Sequence, residues 1–228
     1  MTPPRPPFLD GLTASLPIVL GYLPIAFSFG VAATRAGFSA TEALALSMII
    51  YAGASQFLAL ALLSSGAPVL ISAFTLIAMN LRHVLYGPAL MREAGEKAST
   101  RHAWAWAWGL TDEVFGQALG SLARGQRFSE GYMFGLGLGA YAAWVLGTIA
   151  GALAGGGALE AWPAVSAGLG FMLPALFLAL LLSILSRRQL PVIAVAGLVT
   201  VAATLTLGAT SGILLGMLAG ALARMVRR

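Results

Sequence analysis

Asn80-Leu81-Arg82-His83 interrupts an otherwise apolar run from Pro68 to Met91, setting a permanent cation and a titratable imidazole near the middle of a segment long enough to cross a bilayer. Arginine at the centre of a lipid-embedded helix costs about 2.5–3.5 kcal/mol on insertion scales and about 10–17 kcal/mol in simulation, so such residues usually face a bundle interior or a water-filled path. Tyr86 follows Arg82 by four positions and shares its helix face. His83 is turned away from that face; it suits a satisfied buried ring or a proton carrier, since free imidazole titrates near a pKa of about 6.5. Asp112 and Glu113 are an acidic pair in an apolar setting. They are open to two readings, a proton- or ammonium-binding group or a neutralising partner for Arg82. In Gly53-Ala54-Ser55-Gln56-Phe57 the small residues leave backbone accessible, and Ser55 and Gln56, with Asn80, supply hydrogen bonds along a path. The same groups would otherwise serve as interhelical contacts worth about 0.6 kcal/mol on average. Both signs of charge, amides, hydroxyls and apolar walls suit a small zwitterion with an aliphatic tail, and equally a proton relay or a structural ion pair.

The elements that must position these groups are membrane helices. Hydrophobic residues make up 59% of the 228 positions, charged residues 9%, and the mean hydropathy is +0.88, which leaves no surface for a soluble domain. At about 20 apolar residues per span, the chain holds roughly seven crossings and little else. It is therefore expected to be one all-α, polytopic transmembrane domain over 1–228, with its function built inside the bilayer. Spans are expected near 12–34, 42–65, 68–91, 131–154, 165–186, 190–208 and 209–225, the first being a span rather than a signal peptide. Cysteine is absent, which excludes disulfides and thiolate chemistry. No HExxH or GxSxG pattern and no metal-ligand cluster occurs, so catalytic residues, metals and cofactors are not expected. Twelve of the thirteen Lys and Arg residues are arginine; in a membrane protein this balance points to cytoplasmic loops and anionic lipid rather than nucleic acid.

The stretch His102–Ala123 is ambiguous, carrying Thr111, Asp112, Glu113 and Gln117 among Trp and Leu. If it dips in and returns, or lies on the surface, eleven loop cations fall on one side and only Arg5 on the other. The positive-inside bias then gives seven crossings, N-terminus outside and C-terminus in the cytoplasm. If it crosses, the cation bias is much weaker, and an eight-span arrangement with both ends inside results. A re-entrant segment would bend at Gly109, with Thr111 and Asp112 capping a half-helix whose N-terminus points inward; Trp104, Trp106 and Trp108 before it would anchor at the interface. Leu23-Pro24-Ile25-Ala26-Phe27 and Leu173-Pro174-Ala175-Leu176-Phe177 echo one another, as a 3+1+3 repeat would, or as recurring helix kinks. Gly208, Gly212, Gly216 and Gly220, and likewise Gly147, Gly151 and Gly155, recur every four residues, marking faces for close packing within the chain or against a partner.

Phe27-Ser28-Phe29-Gly30-Val31 with Ala33 and Gly37, Tyr51-Ala52-Gly53-Ala54-Ser55-Gln56-Phe57, Asn80-Leu81-Arg82-His83-Val84-Leu85-Tyr86-Gly87 and Leu110-Thr111-Asp112-Glu113 together resemble the AzlC family, large subunits of bacterial branched-chain amino acid exporters. The similarity runs in order through most of the chain; Tyr51 stands where Phe is expected. The resemblance implies a bacterial inner-membrane antiporter, exporting leucine, isoleucine, valine and often methionine on the proton-motive force, with a small hydrophobic AzlD-like partner. It does not identify ligand contacts. Position and chemistry nominate Arg82 as ion-pair partner or carboxylate anchor, Tyr86, Ser55, Gln56 and Asn80 as path-lining groups, and His83, Asp112 and Glu113 for proton coupling. Export of another small neutral metabolite, a channel, and a non-transporting scaffold remain alternatives.

Overall fold

The computed structural model describes residues 5–95, 98–157, 185–187 and 189–226, with scattered positions between 159 and 182. The expected span at 165–186 and its Leu173-Pro174 echo therefore lie largely outside the described residues. Those described form helices without strands. Four helical stretches are long and apolar enough to cross a membrane, Leu16–Arg35, Val69–Ala94, Glu130–Gly155 and Leu190–Leu207.

The first helix, α1 (Pro7–Ala14), passes through Ser15 into α2 (Leu16–Arg35). Pro17 explains the interruption, because it has no N–H to continue the ladder. Both pack along α9 (Glu130–Gly155). Here glycines set the distance: a methyl group on Gly151 would sit 2.0 Å from the Phe27 carbonyl oxygen, and one on Gly30 2.2 Å from that of Thr148. The glycine face of α9 is thus covered by this chain's own first span. Thr34 Oγ1 also donates across the seam to the Ala152 carbonyl, at 3.2 Å.

The register along that seam is decisive. Gly11 meets Tyr132, Gly139 meets Ser15, Gly147 meets Leu23, and Gly155 meets Val31, so the two chains advance together and α2 and α9 run parallel. Parallel helices in one bilayer must be separated by an odd number of crossings. The arrangement with a re-entrant 102–123 segment places two crossings between them and needs an antiparallel pair. The parallel pair favours the eight-span arrangement, in which 102–123 supplies the third crossing.

Each of the three intervening segments is interrupted. In the first, α3 (Ala40–Ile49) and α4 (Gly53–Ser64) are separated at Tyr51, whose φ is +36°, and by an extended Ala52. The second passes from α5 (Val69–Asn80) to α6 (His83–Ala94) through one tightened turn, in which Leu81, Val84 and Leu85 bond three residues back. In the third, α7 (Ala103–Trp106) continues as a 3-10 turn at Ala107–Gly109, the chain extends at Leu110, and Thr111 caps α8 (Asp112–Ala123). Only the last of these breaks was expected. Hydropathy runs through the first without a pause; the second coincides with the polar Asn80–His83 run, which reads in the sequence as a cost rather than as a break, and Pro88 sits inside α6 rather than at it.

Beyond them, α10 (Leu190–Leu207) and α11 (Ala209–Val226) form a hairpin turning at Gly208, whose φ of +93° suits glycine. Methyl groups on Gly212 and Gly216 would strike Thr204 and Thr200 of α10, and one on Gly220 would touch Ala196. That glycine face therefore packs within the chain, with Gly208 serving as the turn rather than as part of the packed face.

Single cysteines at Ala98 and Gly125, on either side of α7–α8, are expected to label from opposite faces of the membrane with an impermeant maleimide. Labelling from the same face would restore the re-entrant arrangement.

Candidate functional site

The three interruptions meet. Arg82, at the tightened turn between α5 and α6, pairs with Asp112 in the first turn of α8 at 2.7 Å, both side chains remaining partly exposed. The Tyr86 hydroxyl, one turn on, donates to the other Asp112 oxygen, and the Tyr86 ring stacks on Phe115 at 4.5 Å. Ser55 of α4 donates to Asn80 Oδ1 at the end of α5, at 2.9 Å. Tyr51 stacks on Trp108 at 5.8 Å and meets the edge of Tyr141 at 4.9 Å. Each break is thus joined to both others by a side-chain contact.

The two acids divide their partners. Asp112 is met by a guanidinium and a phenol, whereas Glu113 turns toward α2, where the Tyr22 hydroxyl lies 2.6 Å from Glu113 Oε2 and 2.6 Å from Thr111 Oγ1. The α8 N-terminus favours both carboxylates, since unsatisfied N–H groups and the helix dipole put positive potential there. Thr111 Oγ1 takes up one of those donors, accepting from Val114 N at 3.3 Å.

Gln56 is buried completely, and both ends of its amide are committed. Its Nε2 donates to Ser47 Oγ at 2.9 Å, its Oε1 accepts from Trp144 Nε1 at 2.6 Å, and Ser47 in turn contacts Thr148 Oγ1 at 2.7 Å. This ladder ties α3 and α4 to α9. His83 Nδ1 lies 3.2 Å from the Asn80 carbonyl, and its ring meets the edge of Tyr86 at 5.1 Å. The structure therefore gathers Ser55, Asn80, Arg82, His83, Tyr86, Asp112 and Glu113 around the breaks. Gln56 stands behind them in the wall, and the glycines of α11 lie elsewhere.

Sequence reasoning missed Tyr22, Tyr51 and Trp108 at the site. Trp108 was grouped with two other tryptophans as an anchor, yet Trp104 is exposed, Trp106 is buried against Phe128, and Trp108 stacks on Tyr51. Tyr51 carries its own signal: a bulky residue at positive φ is strained by about 1–3 kcal/mol, and such strain clusters at functional sites. Beside the breaks, Ala54, Phe57, Leu58, Ala78, Met79 and Arg82, with Ile213 and Met217 of α11, line an open groove of about 750 Å³. Its walls are apolar except for the guanidinium, a combination suited to an aliphatic tail attached to an anion.

Gln56→Leu keeps the volume but leaves the Trp144 N–H and the Ser47 hydroxyl to find new partners, a loss of about 1–3 kcal/mol. Its expected signature is a lower melting temperature in detergent; a variant as stable as the parent would show that the ladder contributes nothing to packing.

The family model for AzlC protein matches residues 17–157, which contain every side chain gathered at the breaks. The inner membrane protein YgaZ of Escherichia coli (strain K12) is 43% identical over 221 residues, covering 96% of this chain and 90% of that protein. An uncharacterized membrane protein of Archaeoglobus fulgidus is 41% identical over 215 residues, covering 94% and 93%. The branched-chain amino acid transport protein AzlC of Bacillus subtilis (strain 168) is 25% identical over 216 residues, covering 93% and 82%. No solved structure matches the chain.

Proposed function

The chain belongs to the AzlC family of membrane proteins, and from that membership we propose that it is a secondary transporter exporting leucine, isoleucine, valine and methionine from the cytoplasm in exchange for protons. The observation that carries this reading is the opposed arrangement at the breaks: a guanidinium beside an apolar groove, and a carboxylate, Glu113, met by the Tyr22 hydroxyl and, among the described residues, by no paired cation. A branched-chain amino acid presents three features, a carboxylate, an ammonium and an aliphatic tail. Arg82 would take the first and the groove the third. Interrupted helices are where transporters expose backbone and charge to a substrate near the bilayer midplane.

Exchange requires that substrate and proton exclude one another. A carboxylate that holds either the substrate's ammonium or a proton does this directly, because the bare anion is costly in a low-dielectric site and one cation must replace the other. Asp112 is held by Arg82 and Tyr86, so Glu113 is the better placed of the two acids for that role. Arg82 would turn to the substrate carboxylate while Tyr86 keeps its bond to Asp112, and His83, next to Arg82 in the chain, would carry protons to and from Glu113.

We place the protein in the bacterial inner membrane with eight crossings and both termini in the cytoplasm. Arg5, Arg124, Arg127, Arg187, Arg188, Arg224, Arg227 and Arg228 then lie inside and Arg35, Arg92, Lys97 and Arg101 outside, a bias of the expected sign. A small hydrophobic AzlD-like subunit would cover apolar surface such as that of α10, where Leu198 and Leu205 are exposed.

Cells expressing the chain with such a partner should lose preloaded leucine faster than controls, and collapsing the proton gradient should abolish the difference. Absence of leucine, isoleucine, valine and methionine efflux, with and without the partner, would remove this reading and leave another small metabolite or a scaffold role.

Two substitutions separate the charges. Arg82→Ala should abolish efflux while the protein remains in the membrane at normal abundance. Glu113→Gln should flatten the dependence of efflux on external pH, whereas a pH profile identical to the parent's would exclude Glu113 as the coupling group.

A further inference from the structure

Among the described residues, one buried side-chain polar atom has no hydrogen-bond partner, the Tyr51 hydroxyl oxygen. Tyr51 is 6% exposed and sits at the break between α3 and α4. Buried hydroxyls are ordinarily paired, so an orphan needs an explanation. Packing alone does not provide one, because the ring contacts with Trp108 and Tyr141 would be made equally well by phenylalanine. The backbone deepens the question, since a φ of +36° is kept where the surroundings over-determine it. Both features fix the hydroxyl in a place where the described residues give it nothing to bond.

Its neighbours define what would bond there. Tyr51 stacks on Trp108, which lies in the turn that leads into Thr111 and Glu113, and the Tyr22 hydroxyl bonds Glu113 Oε2 at 2.6 Å. Among the described residues no ion pair is formed by Glu113, and Arg82 is engaged with Asp112. The surroundings are anionic and rich in aromatic rings, which selects a cation with N–H donors over an anion. Resting on the exporter reading above, we propose that Tyr51 and Glu113 form the subsite for the ammonium group of the amino-acid substrate, the phenolic oxygen accepting one N–H and the carboxylate supplying the charge. Because the ammonium and carboxylate of an α-amino acid share one carbon, this subsite requires Arg82, Tyr51 and Glu113 to converge around that carbon.

Tyr51→Phe tests this with little structural disturbance, since it keeps the ring and removes only the unpartnered atom. Binding of leucine and of leucinamide, which retains the ammonium but lacks the carboxylate, would be measured by calorimetry on the purified full chain. The variant should bind both probes more weakly by the same factor, roughly tenfold as for one hydrogen bond to a charged group, and melt at or above the temperature of the parent. Unchanged leucine affinity in the variant overturns the assignment while leaving the exporter reading intact. Weakened leucine binding with leucinamide unaffected overturns the ammonium assignment and moves Tyr51 to the carboxylate end. A parent protein that binds neither leucine nor leucinamide overturns the exporter reading and this subsite with it.

Discussion

Lipid offers no hydrogen bonds, and everything distinctive in this fold follows from that. A transmembrane helix may be interrupted only where protein or a wet cavity satisfies the freed N–H and C=O groups. Three consecutive segments here are interrupted, so something continuous must shield them. That role falls to α2 and α9, whose glycines bring the backbones close enough that a single methyl at Gly151 or Gly30 would overlap a carbonyl of the neighbouring helix. Such contact substitutes dispersion and close approach for the hydrophobic driving force that lipid cannot supply. Because the pair is parallel, the chain must traverse the membrane an odd number of times between them. Close packing at one seam therefore dictates the topology of the part that carries the charges.

The polar groups are graded by distance from the breaks. Farthest back, Gln56 links Trp144 to Ser47 and through it Thr148, a chain of neutral groups in which every bond is internal. Satisfied networks of this kind fix geometry, since a side chain that moves must abandon a partner with no water to replace it. Nearer the groove, Arg82 and Asp112 are paired but only partly buried. An exposed pair of this sort adds little stability and can exchange partners at modest cost, which a binding site needs and a scaffold does not. At the break itself stands Tyr51, unpartnered. Rigidity thus decreases, and available bonding capacity increases, toward the point where the helices part.

Much of this was legible in the residues. Arg82 announced itself by cost, and Asp112, Glu113, Asn80 and Ser55 followed as groups that an apolar chain has no other reason to carry. The Thr111 cap was readable too, because threonine ahead of two acids is a helix-start signal. The break at Tyr51 was not. Hydropathy averages over a window wider than one distorted residue, and no proline marks the spot. Topology was less legible for a related reason: loop cations report a bias spread over short connections, whereas the direction of α9 is set by which glycine meets which carbonyl. The division of labour between Asp112 and Glu113 was also invisible, since adjacent residues point to different neighbours on a helix, and only the fold brings Tyr22 to one and Arg82 to the other.

That division follows from helical geometry. Consecutive positions on a helix are about 100° apart, so two acids in the first turn of α8 face different walls while sharing the same favourable helix terminus. One faces α6 and meets a cation; the other faces α2 and meets the Tyr22 hydroxyl, which can donate to an anion yet cannot neutralise it. A pair of carboxylates turned to the same wall would repel, and one would be neutralised permanently. Turned apart, one can anchor the site's own cation while the other stays available to a mobile one. The alternation of substrate ammonium and proton at Glu113 thus needs no large rearrangement of α8, only a change in what the unpaired wall presents.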